Sequence, residues 1–235
     1  MRFHTAFFYD IKIQIRHGLY AVYILVSLFY IIALYQIPEQ YREMVGVFIT
    51  FSDPGVLGFF FIGGLVLLER NQNILDNLFI TPYKVEEYIL SKALSLTVLS
   101  IISSYAIHIS VFGFSFGMIL FLIGVFLTSM FFTIFGLGVA VRSHTLNGFF
   151  LLSSSYSLIF CLPLLELVGI DYSLFMLLPT KGALLLISTA FSPINMLEMI
   201  YAIGILLFWS LVAFWWARRS FYKMIIFKAS EGKTL

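Results

Sequence analysis

The sequence predicts an all-α integral membrane protein of six transmembrane helices, with the N-terminus and the C-terminus both cytoplasmic. Three observations carry this. Of 235 residues, 61% are hydrophobic and only 11% charged, where a soluble domain carries about 25% charged residues. The apolar residues gather in long stretches, and a helix crossing a bilayer needs roughly 20 of them. The basic residues fall unevenly on the loops between those stretches. A water-soluble fold of this size could not cover its surface with so few charges. That excludes an ordinary cytosolic enzyme, a nucleic-acid-binding module and a disordered tail. The net charge of +2 says little about partners, so no nucleic acid is expected. The single cysteine, Cys161, excludes an internal disulfide framework and multi-cysteine metal sites.

The elements follow in order within one membrane domain, 1–235. Residues 1–18 form an amphipathic helix with Phe3, Phe7, Phe8, Ile11 and Ile15 on one face and Thr5, Tyr9, Lys12 and Arg16 opposite. Such a helix lies in the interface of the membrane with its cations toward lipid headgroups. These mixed residues, Asp10 among them, are unlike the short basic start of a secretory signal. Spans follow at 19–37, 56–68 with its flanks, 93–112, 118–141, 149–167 and 196–217. In lipid every backbone polar group must be satisfied internally, so these are helices. No stretch shows the alternation of a membrane barrel. Trp215 and Trp216 followed by Arg218 and Arg219 read as an interfacial anchor closing the last span.

Residues 173–191 are apolar but hold Pro179 and Lys181. A lysine at the bilayer centre costs about 2.5–3.5 kcal/mol, and proline breaks the backbone ladder. Six spans place 12 of the 14 Lys and Arg residues on one side, leaving Arg42 and Lys181 opposite. A seventh would carry the C-terminal cations across, against the positive-inside rule. The region 168–195 is therefore read as short outer re-entrant helices broken at Pro179–Thr180, dipping into the outer leaflet or packed on the bundle.

The segment 69–92 joins the second and third spans. Polar residues follow Glu69, and Asn73 suits a sharp left-handed turn. Ile74, Leu75, Leu78 and Phe79 then form an apolar stripe on a short helix. Thr81 serves as N-cap with Pro82 at the first helical position, and Glu86 and Glu87 occupy the first turn, where the helix dipole favours them. A soluble partner gripping this helix would move both spans together.

Glu69, Asn73-Ile74-Leu75, Leu78, Thr81-Pro82, Tyr88 and Lys92 resemble the pattern that export-type ABC transporter permeases carry after their second span. There Gly-Thr stands more often where this chain has Asn73-Ile74. Ser52-Asp53-Pro54, the run from Leu57 to Gly64, and Leu178-Pro179-Thr180 resemble the fluoroquinolone-export branch of those permeases. The resemblance runs through nearly the whole chain. It implies a permease subunit that pairs with a second permease, identical or not, and with separate ABC ATP-binding subunits. ATP and Mg would be bound by those subunits, leaving this chain without a cofactor of its own. The interfacial helix and the coupling residues Glu69, Asn73, Ile74, Leu75, Leu78, Phe79, Thr81 and Pro82 would form the docking surface. The expected place is a bacterial or archaeal plasma membrane, in contact with membrane lipid. The function expected is export of an amphiphilic compound (drug, peptide or lipid-like).

Other motifs fail on their context. Gly232-Lys233-Thr234 lacks the preceding glycine and strand of a P-loop. Gly113-Phe-Ser115-Phe-Gly117 has a nucleophile-elbow spelling, yet sits in a turn between membrane helices, where close packing by the glycines is the plainer reading. Asp53-Pro54 reads as a cap and a proline at the outer start of the second span. Gly136-x-Gly138 and Ser153-Ser154-Ser155 suit close helix approach. His4, His17 and His144 lie outside the spans; His108 lies within one and is expected to hydrogen-bond a neighbouring helix, and Glu166 is the best candidate for a buried acid. Phe59, Phe60, Phe61, Phe131 and Phe132 are candidates for lining a substrate path. Two other readings compete: a partner-binding or immunity protein of exporter architecture, and a six-span membrane enzyme. The enzyme would need polar residues converging at membrane depth, of which the spans offer almost none.

Overall fold

The computed structural model describes residues 2–226 apart from 73, 79–81, 116 and 144, and the regular structure among these is helical throughout. Asn73, Phe79, Thr81, His144 and the tripeptide at 232–234 lie outside the described residues. The chain opens with α1 (Arg2–Arg16), turns at Gly18 with φ +74°, and enters α2 (Leu19–Gln36). Helix α3 (Glu39–Ser52) leads through a π-helical turn, Asp53–Leu57, directly into α4 (Gly58–Asn71). A short α5 (Ile74–Leu78) precedes α6 (Val85–Phe112) and α7 (Met118–Arg142). Helix α8 (Leu146–Phe160) continues as a 3₁₀ helix, Leu162–Val168; a second 3₁₀ helix, Ser173–Leu177, comes before α9 (Pro179–Ser188) and α10 (Met196–Phe221).

Among the described residues, four helices are long and apolar enough to cross a membrane: α2, α6, α7 and the run Met196–Met224 that contains α10. A fifth crossing results if α8 and Leu162–Val168 act as one span, bent by 51°. Hydropathy reads 149–167 as one straight span, and Pro163 breaks it. Proline supplies no backbone N–H and crowds the preceding turn, so the chain tightens, with Leu164 N–H bonded to the Cys161 carbonyl at 3.0 Å.

The largest correction concerns Asp53 and Pro54. They do not cap a helix start; Asp53 has helical φ −64° and ψ −62°, and helix precedes and follows it. Pro54 removes one donor from the ladder. The turn widens in response, and Gly58 N–H reaches the Asp53 carbonyl five residues back. With α6 and α7 packed against the turn, its carbonyls have no water to leave for, so the helix stays unbroken.

Helix α7 is the hub, packing on α4, α6, α9 and α10. Small residues permit this. A Cβ at Gly136 would stand 2.8 Å from Phe59 and Ile62 of α4, and one at Gly138 would stand 2.3 Å from Trp216 of α10. Gly136-x-Gly138 thus does allow close approach. The 113–117 turn divides its labour: Gly113 supplies φ +76°, while a Cβ on Gly117 would lie 1.8 Å from the Thr189 carbonyl oxygen. The serine run makes no such contact as a set. Ser153 is buried, but Ser154 and Ser155 donate back to the Phe150 and Leu151 carbonyls on an exposed face.

At the end of the bundle opposite α1, the chain breaks at Leu178, whose φ and ψ of −98° and 143° are extended, and α9 begins at Pro179. Most of α9 is buried between α7 and α10, and Lys181 pairs with Glu166 across the break. Trp209 Nε1–H donates to the Leu177 carbonyl at 2.8 Å, holding the 3₁₀ helix to α10.

Candidate coupling site at the basic end of the bundle

Two turns into α6, Lys92 is buried (3% exposed) and its Nζ donates to Asp10 Oδ1 at 2.7 Å and to Glu69 Oε1 at 2.6 Å. Asp10 comes from α1 and Glu69 from the end of α4, so one ammonium ties three helices. The remaining carboxylate oxygens are also occupied. Tyr88 O–H donates to Glu69 Oε2 at 2.6 Å and Ser91 O–H to Asp10 Oδ2 at 2.7 Å. Gln14, a turn after Asp10, donates to Ser95 at 2.7 Å. A buried ion set holds together only when its lone pairs and protons are all used, and here the four carboxylate oxygens each have a donor.

Of the apolar face of α1, Phe3, Phe7 and Ile11 are half-buried, while Phe8 (64% exposed) and Ile15 point away from the bundle. The edge of the helix that meets α6 carries Asp10 and Gln14. The apolar stripe is wide enough to serve the bundle with one flank and to leave the other outward.

Further ties close a ring around this end. Arg70 Nη1 donates to the Val141 and Ser143 carbonyls at 3.2 and 3.1 Å, where α7 ends; cations suit the unsatisfied carbonyls of a helix C-terminus. Arg142 Nε–H donates to Ser220 of α10 at 3.0 Å, and its guanidinium lies 4.2 Å from the ring centre of Trp216. Arg218 of α10 pairs with Glu86 of α6. Trp216 therefore faces the bundle, while Trp215 is exposed with Arg219 over its ring.

The expected coupling residues are placed as follows. Glu69 is in the ion set. In α5, Leu75 is buried (1% exposed), Leu78 is half-buried and Ile74 is exposed. The described part of this helix runs Ile74–Leu78. Pro82 stands in a turn, not at a first helical position: α6 begins at Val85, and Glu87 Oε2 accepts from Lys84 N–H at 3.0 Å. The cap lies later in the chain because Glu87 reaches back over the first turn and satisfies that donor. A cavity of about 560 Å³ opens between α1, α5 and the start of α6, with Asp10, Glu69, Tyr88 and Lys92 at its polar side and Ala6, Ile13, Ile74 and Leu78 among its apolar lining. Sequence reading missed Asp10 as a functional residue. Its one signal is an acid inside an otherwise apolar and basic helix, and its partner is 82 positions away.

The aromatic candidates form one cluster in the core. Phe59 stacks on Phe135 at 5.9 Å between ring centres, Phe131 meets Phe132 at 4.9 Å, and Phe59, Phe131 and Phe132 are buried. Phe60 and Phe61 are half-buried; Phe61 lies 5.5 Å from the Tyr23 ring. His108 does not hydrogen-bond a neighbouring helix through Nε2, which has no partner among the described residues. Its ring packs instead between Phe112, Phe121 and Phe191 at 4.9–5.4 Å.

The sequence matches the fluoroquinolones export permease protein family over residues 1–229. Two relatives carry the name fluoroquinolones export permease protein, both from Mycobacterium tuberculosis, strains CDC 1551 / Oshkosh and ATCC 25618 / H37Rv. Each is 21% identical over 189 residues, covering 80% of this chain and 80% of the relative. The match runs through α1, the ion set, the short α5 and the hub helix alike, and with it the multi-pass helical architecture has a family: this chain belongs to the fluoroquinolones export permease family.

Proposed function

We propose that the chain is the transmembrane permease subunit of an ATP-binding-cassette exporter and moves an amphiphilic compound out of the cell. It would work with a second permease subunit and with separate ATPase subunits that hold ATP and Mg. In this reading there are six spans. The second is the continuous helical run 39–71, both termini are cytoplasmic, and the membrane is the plasma membrane of the cell.

One observation supports this most. Helix α5 sits between α4 and α6, and those two helices are joined at their ends to α1 through Lys92. A partner that grips exposed Ile74 and the outward side of α1 pulls on α4 and α6 as one body. ATP binding would close the partner pair, and the displacement would pass through Glu69 and Lys92 into both spans. A conformational equilibrium shifts only as far as a ligand binds its two states differently; here the ATPase is that ligand, and the polar ring at this end keeps the helices moving as a unit. The aromatic cluster around Phe59, Phe60, Phe61, Phe131 and Phe132 is the proposed apolar wall of the path, with half-buried Phe60 and Phe61 the first to be uncovered.

The test is reconstitution of the chain in liposomes with an ABC-type ATPase subunit, loaded with an amphiphilic dye. ATP-dependent dye movement that ceases without the ATPase is expected. Uphill movement, or turnover of a chemical substrate, by the chain alone would overturn the reading.

A further inference from the structure

Asp53 is wholly buried (0% exposed) in the π-helical turn, and neither of its carboxylate oxygens has a hydrogen-bond partner among the described residues. Every other buried acid described above has a cation: Asp10 and Glu69 share Lys92, and Glu166 has Lys181. Asp53 has none among the described residues. It lies deep in the bundle. Ser103 and Ser104 of α6 stand beside it, and Ser103 bonds Ser27, at the midpoint of α2, at 2.8 Å. At 1.5 Å per residue, Ser103 is roughly 16 Å along α6 from Lys92.

The groups placed to satisfy the carboxylate are the Ser103 and Ser104 hydroxyls, which carry no charge. Ser27 donates to the Tyr23 carbonyl at 2.7 Å, so the hydrogen between Ser27 and Ser103 is the Ser103 hydrogen. That leaves Ser104, whose hydroxyl is itself buried without a bond at good geometry, as is that of Tyr23. Tyr23 and Tyr30 of α2 are within electrostatic reach of Asp53. Phe61 packs on Tyr23, and Phe51 and Phe132 border Gly55 in the same turn.

An acid at membrane depth is costly, and such residues mark ligand or ion pathways. An acid in a turn bordered by Phe51 and Phe132, with Tyr23 and Tyr30 in electrostatic reach, suits a positive charge carried on an apolar body, because ring faces also attract cations. One carboxylate among hydroxyls offers too few charges and ligands for a divalent ion. The π-helical turn, at the joint of α3 and α4, is where a displaced α4 would open first, since such turns break the regular ladder and mark functional sites.

We propose that Asp53 recognises the positive charge of the transported compound, a monovalent organic ammonium or phosphonium on an amphiphilic body. This rests on the export reading above and narrows its substrate class. The test uses the full-length chain in lipid nanodiscs without any ATPase, and compares binding of methyltriphenylphosphonium with that of triphenylphosphine oxide, which is of similar size and uncharged. The wild type is expected to bind the cation about tenfold more tightly than the oxide. Asp53→Asn should remove that preference and leave the affinity for the oxide unchanged. Equal wild-type affinities, or a preference that survives Asp53→Asn, overturn the proposal. A second measurement needs no variant: a benzophenone-bearing phosphonium should crosslink to peptides containing Asp53 or residues 100–104, and crosslinks confined to other helices count against it. Because no ATPase is present, these failures are distinct from a failure of ATP-driven export.

Discussion

Replacing Lys92 with Met removes the ammonium that Asp10 and Glu69 share. Both carboxylate oxygens approach Nζ, at 2.7 and 2.6 Å, so they stand at most about 5 Å apart. With the cation gone, two like charges at that separation repel by about 3 kcal/mol at an effective dielectric constant of 20. Breaking a buried ion set by removing one partner costs about 3–5 kcal/mol in measured cases, in line with this figure. For a chain of this length about 1 kcal/mol moves a melting temperature by roughly 2–4 °C, so Lys92→Met should lower the apparent Tm by roughly 10 °C in detergent or nanodiscs. The loss should be local in origin. Amides of α1 should lose hydrogen-exchange protection first, since Asp10 and Gln14 are what hold that helix to α6. The triple variant Asp10→Asn, Glu69→Gln, Lys92→Met should recover most of the loss, because neutral groups of similar shape remove the repulsion without leaving a buried charge. A Tm within about 2 °C of wild type in the single variant, or a triple variant no better than the single, would refute the account of this site.

Three further outcomes separate surface from core. Ile74→Asp, on the exposed side of α5, should leave Tm unchanged and cut ATP-driven export at least about tenfold, whereas Leu75→Ala should lower stability by about 2–4 kcal/mol in a denaturation assay because Leu75 is buried. Lys181→Met should cost about 2–4 kcal/mol by stranding Glu166, and adding Glu166→Gln should restore most of it. Gly182→Ala should destabilise by about 1–3 kcal/mol, read as a fall in Tm, since its Cβ would lie 2.8 Å from the Ala202 carbonyl oxygen of α10 and 2.5 Å from Ile205.

Local chemistry was readable wherever a feature depends on neighbours in the chain. Apolar runs of bilayer length appear as α2, α6, α7 and α10, because a lipid-facing helix must be apolar along its own length. The short helix after Glu69, the acids at the start of α6, the break before Pro179 and the glycines that admit α4 and α10 to α7 all have their cause within a few residues. Pro54 reads as a helix start for one reason: a proline tells that the ladder is broken, not how the backbone heals. At Pro163 the helix bends; at Pro54 it widens and continues, because neighbouring helices enclose it.

What no stretch of sequence could disclose is which polar groups meet. Asp10, Glu69 and Lys92 each look like ordinary residues at the margins of apolar segments, and only the packing of α1, α4 and α6 brings their charges within 2.7 Å. Asp53 is the converse case, a residue that looks like a solvent-side cap and is enclosed by helices remote in the chain. Electrostatic energy falls with distance in space, and the chain order says nothing of that distance until the helices have packed. Hydropathy therefore picked out most of the long apolar helices, whereas the assembled bundle decided which charges are paired.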